Sequence, residues 1–192
     1  MRVLITLITV LTLCTVGFAQ VATDDPYKTT PIIDKLADID MANQVLPLLL
    51  TKDQMSKLLP IVEKCRANVR AQQKKEADRL KELLPEIDKI HGEALKGIVP
   101  PEPFLKKVDD LLKKFDNERR GVSIANGLII FEALDKNLND GQKKAAAGVV
   151  DKVFDSQNKE WKDGTQSEKL KFFGSSIFLS DRAYAYLTKL EK

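Results

Sequence analysis

The chain is poor in the residues that perform chemistry. Its 192 residues include one histidine, His91, and two cysteines, Cys14 and Cys65. His91 and Cys65 lie 26 positions apart (91 − 65) in a stretch of helical periodicity. At about 1.5 Å per residue this separates them by roughly 40 Å, which excludes a nucleophile and base pair within one chain. No phosphate-cradling glycine loop, nucleophile elbow or zinc-ligand spacing occurs. The carboxylate pairs Asp24-Asp25, Asp109-Asp110 and Glu86-Asp88 have no orienting partner and read as solvated acids. His91, Cys65, Met41 and Met55 are too thin a ligand set for a closed metal site in one chain. The expectation is a protein without catalytic residues, metal or cofactor.

An excess of one charge is also missing. Lys and Arg total 31 against 28 Asp and Glu, far from the basic footprint that drives phosphate binding, so nucleic acid is not an expected partner. Alternation with a period of two is absent throughout, and no strand is predicted.

What is present begins at the N-terminus. Arg2 is followed by an apolar run to Val16 and then Gly17-Phe18-Ala19, the pattern of a cleaved secretory signal peptide over residues 1–19. Export without a stable membrane anchor follows. Leu13 before Cys14 argues against a lipid-attachment site. Removing residues 1–19 takes away Arg2 and leaves 173 residues (192 − 19) with 30 basic and 28 acidic side chains, a length suited to one modest core. Cys65 is then the only cysteine; it falls in an apolar helical stripe, and a buried thiol is the favoured reading.

Gln20 to Pro31 is polar, carries Pro26 and Pro31 and has no period, which predicts a flexible leader. A helical domain is expected over 32–160 and a C-terminal helical extension over 161–192. Ile33, Leu36, Ile39, Ala42, Leu46 and Leu49 recur at helical spacing, with Pro47 near the end of that helix. Leu50-Thr51-Lys52-Asp53-Gln54-Met55 opens the next: Thr51 and Gln54 form a capping box, and Leu50 with Met55 a hydrophobic staple. The stripe Leu58, Val62, Cys65, Val69 fades through Ala71 to Glu76 and resumes at Leu80, Leu83, Ile87 and Ile90, predicting one long helix from Lys52 to about His91, bent at Pro60 and Pro85. Gly97 and Pro100-Pro101-Glu102-Pro103 mark a reversal. A third helix carries Phe104, Val108, Leu111, Leu112, Phe115, Val122, Ala125, Ile129 and Leu134. Asn139 and Gln142 repeat the box before Ala146, Val149, Val150, Val153 and Phe154. Thr165 with Glu168, and then Ser180-Asp181-Arg182, open two short closing helices. The expected fold is all-α: a long antiparallel helical hairpin with additional shorter helices.

Charge forms the remaining pattern. Arg66, Arg70 and Lys74 stack at intervals of four, with Lys75 and Arg79 beside them, while the third helix neutralises itself through Asp109/Lys113, Asp110/Lys114 and Asp116/Arg120. The five cations are either a contact surface for acidic or unfolded polypeptide or a solvated face softened by Glu63, Glu76 and Asp78.

Leu50-Thr51-x-x-Gln54 and Leu138-Asn139-x-x-Gln142 stand 88 residues apart (138 − 50) behind a signal peptide. They resemble the paired LTxxQ motifs of the Spy/CpxP family of periplasmic proteins. The first copy matches in full; Asn139 replaces Thr in the second and keeps the capping chemistry. The resemblance covers roughly Ala37 to Phe154 and departs at the internal prolines, the Pro-rich turn and the tail from Asp155 to Lys192. It implies a helical hairpin paired into a curved homodimer, acting as an ATP-independent chaperone for unfolded or partly folded envelope proteins or as an envelope-stress adaptor. By that analogy Arg66, Arg70, Lys74, Lys75 and Arg79 line a client-binding face; the tail, a departure from the family, either covers that face or leaves it open. Two other classes stay open: a metal-responsive sensor, and a non-catalytic regulatory partner of an envelope protein such as a sensor kinase.

Overall fold

A computed structural model describes residues 31–154 and 163–191. The expected signal peptide, Cys14, the Asp24-Asp25 pair and the leader up to residue 30 lie outside the described residues. Every regular element is helical: α1 Pro31–Val45, a 3-10 turn Leu46–Leu48, α2 Lys52–Ala94, α3 Glu102–Asn137, α4 Asp140–Phe154, α5 Gln166–Phe172, a π-helix Phe173–Phe178, and α6 Asp181–Glu191. Residues up to Ile39 form one unit and residues from Asp40 onward another. In the first unit Ile32, Leu36 and Ile39 are exposed.

The second unit is built on the hairpin of α2 and α3. α2 continues through Pro60 and Pro85 for 43 residues, about 65 Å at the helical rise. Cross-helix hydrogen bonds join Cys65 to Asn126, Gln72 to Glu118 and Lys107 to Glu86, so that sequence separation shrinks toward the turn, as antiparallel helices require. At the turn Gly97 adopts φ 83°, a left-handed conformation that costs glycine little. The N–H of Ile98 returns to the Glu93 carbonyl at 3.1 Å and closes the helix end.

One apolar cluster holds the base of the hairpin, the 3-10 turn, α4 and the C-terminal elements together. Met41, Val45 and Leu48 enter it from the first helical stretch, Leu58 and Val62 from α2, Ile130 and Leu134 from α3, Val149 and Val150 from α4. Leu170, Phe173, Ile177, Phe178, Ala183 and Leu187 come from the C-terminal segment, which is therefore part of the same core. The predicted face of the first helix differs from the buried one: Leu46 and Leu49 are exposed. The 3-10 turn rotates Leu48 inward, and Leu49 then turns outward in a left-handed conformation at φ 48°. On α3 the apolar stripe is interrupted at Asn126, which is buried, while Leu112 is exposed. The π-helix Phe173–Phe178 has no signature in the sequence pattern. There Gly174 lies so close to α3 that an added Cβ would meet Ile130 and Leu134 at 3.1 Å, and the Leu179 N–H reaches back five residues to the Gly174 carbonyl.

Candidate functional site

The two capped helix starts meet. Thr51 Oγ1 accepts from the Gln54 N–H at 3.2 Å and Gln54 Oε1 accepts from the Thr51 N–H at 3.0 Å. Asn139 and Gln142 repeat this at 2.9 and 3.0 Å. The two glutamine amides then bond each other reciprocally, Nε2 to Oε1, both at 2.9 Å. Each Nε2 also donates to a carbonyl two residues before the opposite cap: Gln54 to Asn137 at 2.7 Å and Gln142 to Leu49 at 3.3 Å. The result is a clasp with local two-fold character that ties the start of α2 to the end of α3 and the start of α4. Leu138 is buried in the core beneath it and Leu50 is half-buried against that core. Every polar atom of both amides thus works structurally, and the motif holds the hairpin base shut.

The five predicted cations are not brought together. Nine residues separate Arg66 from Lys75 and Arg70 from Arg79, about two and a half turns, so the two rows point to opposite sides of α2. Arg66 faces α6: its guanidinium bonds Asp181 at 2.8 Å and Glu63 at 2.9 Å and lies 4.2 Å from the centroid of the Tyr184 ring. Burial works against this cation, but the Asp181 and Glu63 carboxylates outweigh it and raise its pKa. Arg70 shares Glu63, whose carboxyl is held below its ordinary value first by the Arg70 hydrogen bond. Lys75 pairs with Glu118 at 3.1 Å and Arg79 with Glu82 at 3.0 Å. Lys74 is exposed and makes no ion pair among the described residues. The tail thus covers the proposed face at Arg66, and four of the five charges are balanced in place.

Where the α2 stripe fades, the hairpin interface is polar. Asn126 Nδ2 donates to the Cys65 carbonyl at 2.8 Å, and Asn68 Nδ2 donates to Asn126 Oδ1 at 2.9 Å. Gln72 Nε2 donates to Glu118 at 2.9 Å and to Glu76 at 3.1 Å. Glu76 is buried and lies 3.5 Å from Arg119, so it does not soften a solvated face as expected from sequence. Cys65 is buried as expected, and burial pushes its thiol up. The belt was detectable in sequence only as a gap in the stripe and as one asparagine on an apolar face. Beyond it, from residue 77 to residue 114, no residue is buried. This outer arm has no third layer: Leu80, Leu84 and Leu112 are exposed along it, and Leu95, Ile98 and Val99 at its tip, with His91 nearby and also exposed.

Glu118 carries a pH prediction. Hydrogen bonds from Gln72 and then Lys75 hold its carboxyl below the ordinary 4.5. A depressed folded-state pKa gives stability that is present above the ordinary value and lost as pH falls through the folded one. Thermal melts taken from pH 7 to pH 3 are expected to show a smaller acid-induced drop for Glu118→Gln than for the natural chain; identical slopes would remove the belt from the acid response.

Among the described residues no helix is long and apolar enough to cross a membrane, and no group of three or more His, Cys, Asp or Glu side chains is placed to hold a metal. No protein-family model matches the chain, and neither a curated protein nor a solved structure is significantly similar to it.

Proposed function

We propose that the protein is a non-catalytic, ATP-independent binder of unfolded or partly folded polypeptide, acting in the periplasm as a chaperone or envelope-stress adaptor. The observation that carries this reading is the outer arm. No residue from 77 to 114 is buried, and Leu80, Leu84 and Leu112 along the arm and Leu95, Ile98 and Val99 at its tip are exposed. Apolar surface left in water forgoes about 25 cal/mol per Å², and exposed apolar surface beyond single scattered residues marks an interaction surface. Chains that expose their own apolar segments are the partners such a surface suits. The paired state of Arg66, Arg70, Lys75 and Arg79 shifts the weight from acidic segments toward apolar ones, since exposed ion pairs are worth only about 0–1 kcal/mol and are screened by salt.

The test is light scattering from a chemically denatured client diluted into buffer without nucleotide. Suppression near equimolar protein is expected, with little change on replacing Lys74 by Glu and a marked loss on replacing Leu80, Leu84 and Leu112 together by Asp. Undiminished aggregation at a large molar excess of the natural chain would overturn the reading.

A further inference from the structure

A groove of about 530 Å³ runs between the outward side of α3 and the C-terminal segment, on the side of α3 away from the hairpin partner. Its apolar lining is Ile124, Leu128 and Phe172, and Gly127 leaves its floor open beside Ser175. Ile124 and Leu128 are 60% and 51% exposed, a large share for two neighbouring aliphatic residues that flank a concavity. The volume falls in the range of pockets that take a ligand, about 300–1,000 Å³.

The rim tells against an ionic ligand. Glu168 is engaged by Thr165, whose N–H and hydroxyl both donate to it, at 2.7 and 2.8 Å, and which holds its carboxyl below the ordinary value. Lys171 stands one turn along α5 with its ammonium 5.0 Å from the centroid of the Phe131 ring. The two rim charges cancel, so a charged ligand would gain nothing net from them. The Ser123 and Ser175 hydroxyls remain for neutral amide groups, Ser175 already donating to the Phe172 carbonyl at 3.3 Å and keeping its acceptor capacity. Apolar floor, cancelled charge and neutral hydrogen-bonding rim together match an extended peptide segment with aliphatic or aromatic side chains.

We infer that this groove, built by α3 and the C-terminal segment, seats an extended apolar segment of a polypeptide client. The inference rests on the polypeptide-binding reading and gives it a defined seat away from both the cations of α2 and the outer arm.

The experiment titrates a capped, uncharged Leu- and Phe-containing hexapeptide into the full chain, measures affinity by calorimetry for the natural chain and each variant, and follows the methyl NMR signals of Ile124 and Leu128 in the natural chain. Those signals are expected to shift saturably. Replacing Ile124 and Leu128 by Asp should weaken binding by roughly tenfold or more, the scale set by burying two aliphatic side chains. Gly127→Leu should do the same by filling the groove, and the fold should survive, because a Cβ at that position meets only Ser175 Cβ at 3.6 Å, an ordinary contact. Salt should change the affinity little. The inference is overturned if the peptide does not bind, if both variants bind it as the natural chain does, or if lauric acid binds in the groove while the peptide does not. Client aggregation is measured in parallel. Suppression by the natural chain together with unaltered peptide binding in the groove variants would sink the groove alone, whereas failed suppression would sink the broader reading.

Discussion

Replacing Gln142 by alanine is expected to cost about 2–3 kcal/mol of folding stability, which lowers the melting temperature of a unit this size by about 5–10 °C. The loss is larger than for an ordinary cap, typically near 1 kcal/mol, because Gln142 does more than cap. Its Oε1 accepts from Asn139 and Gln54, and its Nε2 donates to Gln54 and Leu49. Truncation strands the Leu49 carbonyl and half of the Gln54 amide in a part-buried site. Gln142→Glu separates the two roles: the carboxylate still accepts from the Asn139 N–H but has no donor for Leu49 or Gln54. A double-mutant cycle with Gln54→Ala should return a coupling of about 1 kcal/mol or more. Additive effects of the two alanine replacements would mean that the caps act separately and that the clasp is a geometric coincidence.

The clasp also marks how far the sequence can be read. Each capping box was legible because its partners lie three residues apart, within one turn, where local chemistry decides the outcome. Their meeting was not legible. It depends on the length of α2 and α3 bringing residues 54 and 142 together, and no local pattern encodes that register. The same boundary separates the other successes from the differences. The hairpin reversal follows from Gly97 and the proline run, yet the choice of Leu48 over Leu49 for the core depends on a 3-10 turn that tightens the chain by a fraction of a residue. Asn126 and Glu76 give no interface signal in the sequence, because polar side chains are expected outside and only the opposite helix supplies the partners that permit their burial. For the cations, intervals of four were visible, but the turn from Lys74 to Lys75 carries the second row round to another side of the helix.

The C-terminal segment, expected as an extension, is where the other large effect should fall. Phe173→Ala is expected to remove about 3–5 kcal/mol, the usual cost of emptying a buried aromatic site. Phe173 has no exposed surface, and its ring packs on Phe178 with centroids 6.1 Å apart and planes tilted by 43°. The π-helix fixes that placement by letting Gly174 approach Ile130 and Leu134, so collapse of the backbone onto the cavity is blocked by contacts already tight. Set against a total stability of about 5–15 kcal/mol for a domain, the loss is enough to unfold a substantial fraction on mild heating. Hydrogen exchange distinguishes how it is distributed. If the cluster is one cooperative unit, amides around Val62 on α2 and Ile130 on α3 lose protection together with those of Phe178 and Leu187, while amides near Leu84 in the outer arm, already weakly protected for want of a third layer, change least. Loss confined to residues beyond 163 would mean instead that the C-terminal segment docks on a hairpin base able to stand alone. In that case Phe173→Ala would abolish peptide binding in the groove and leave the clasp and the outer arm as they are.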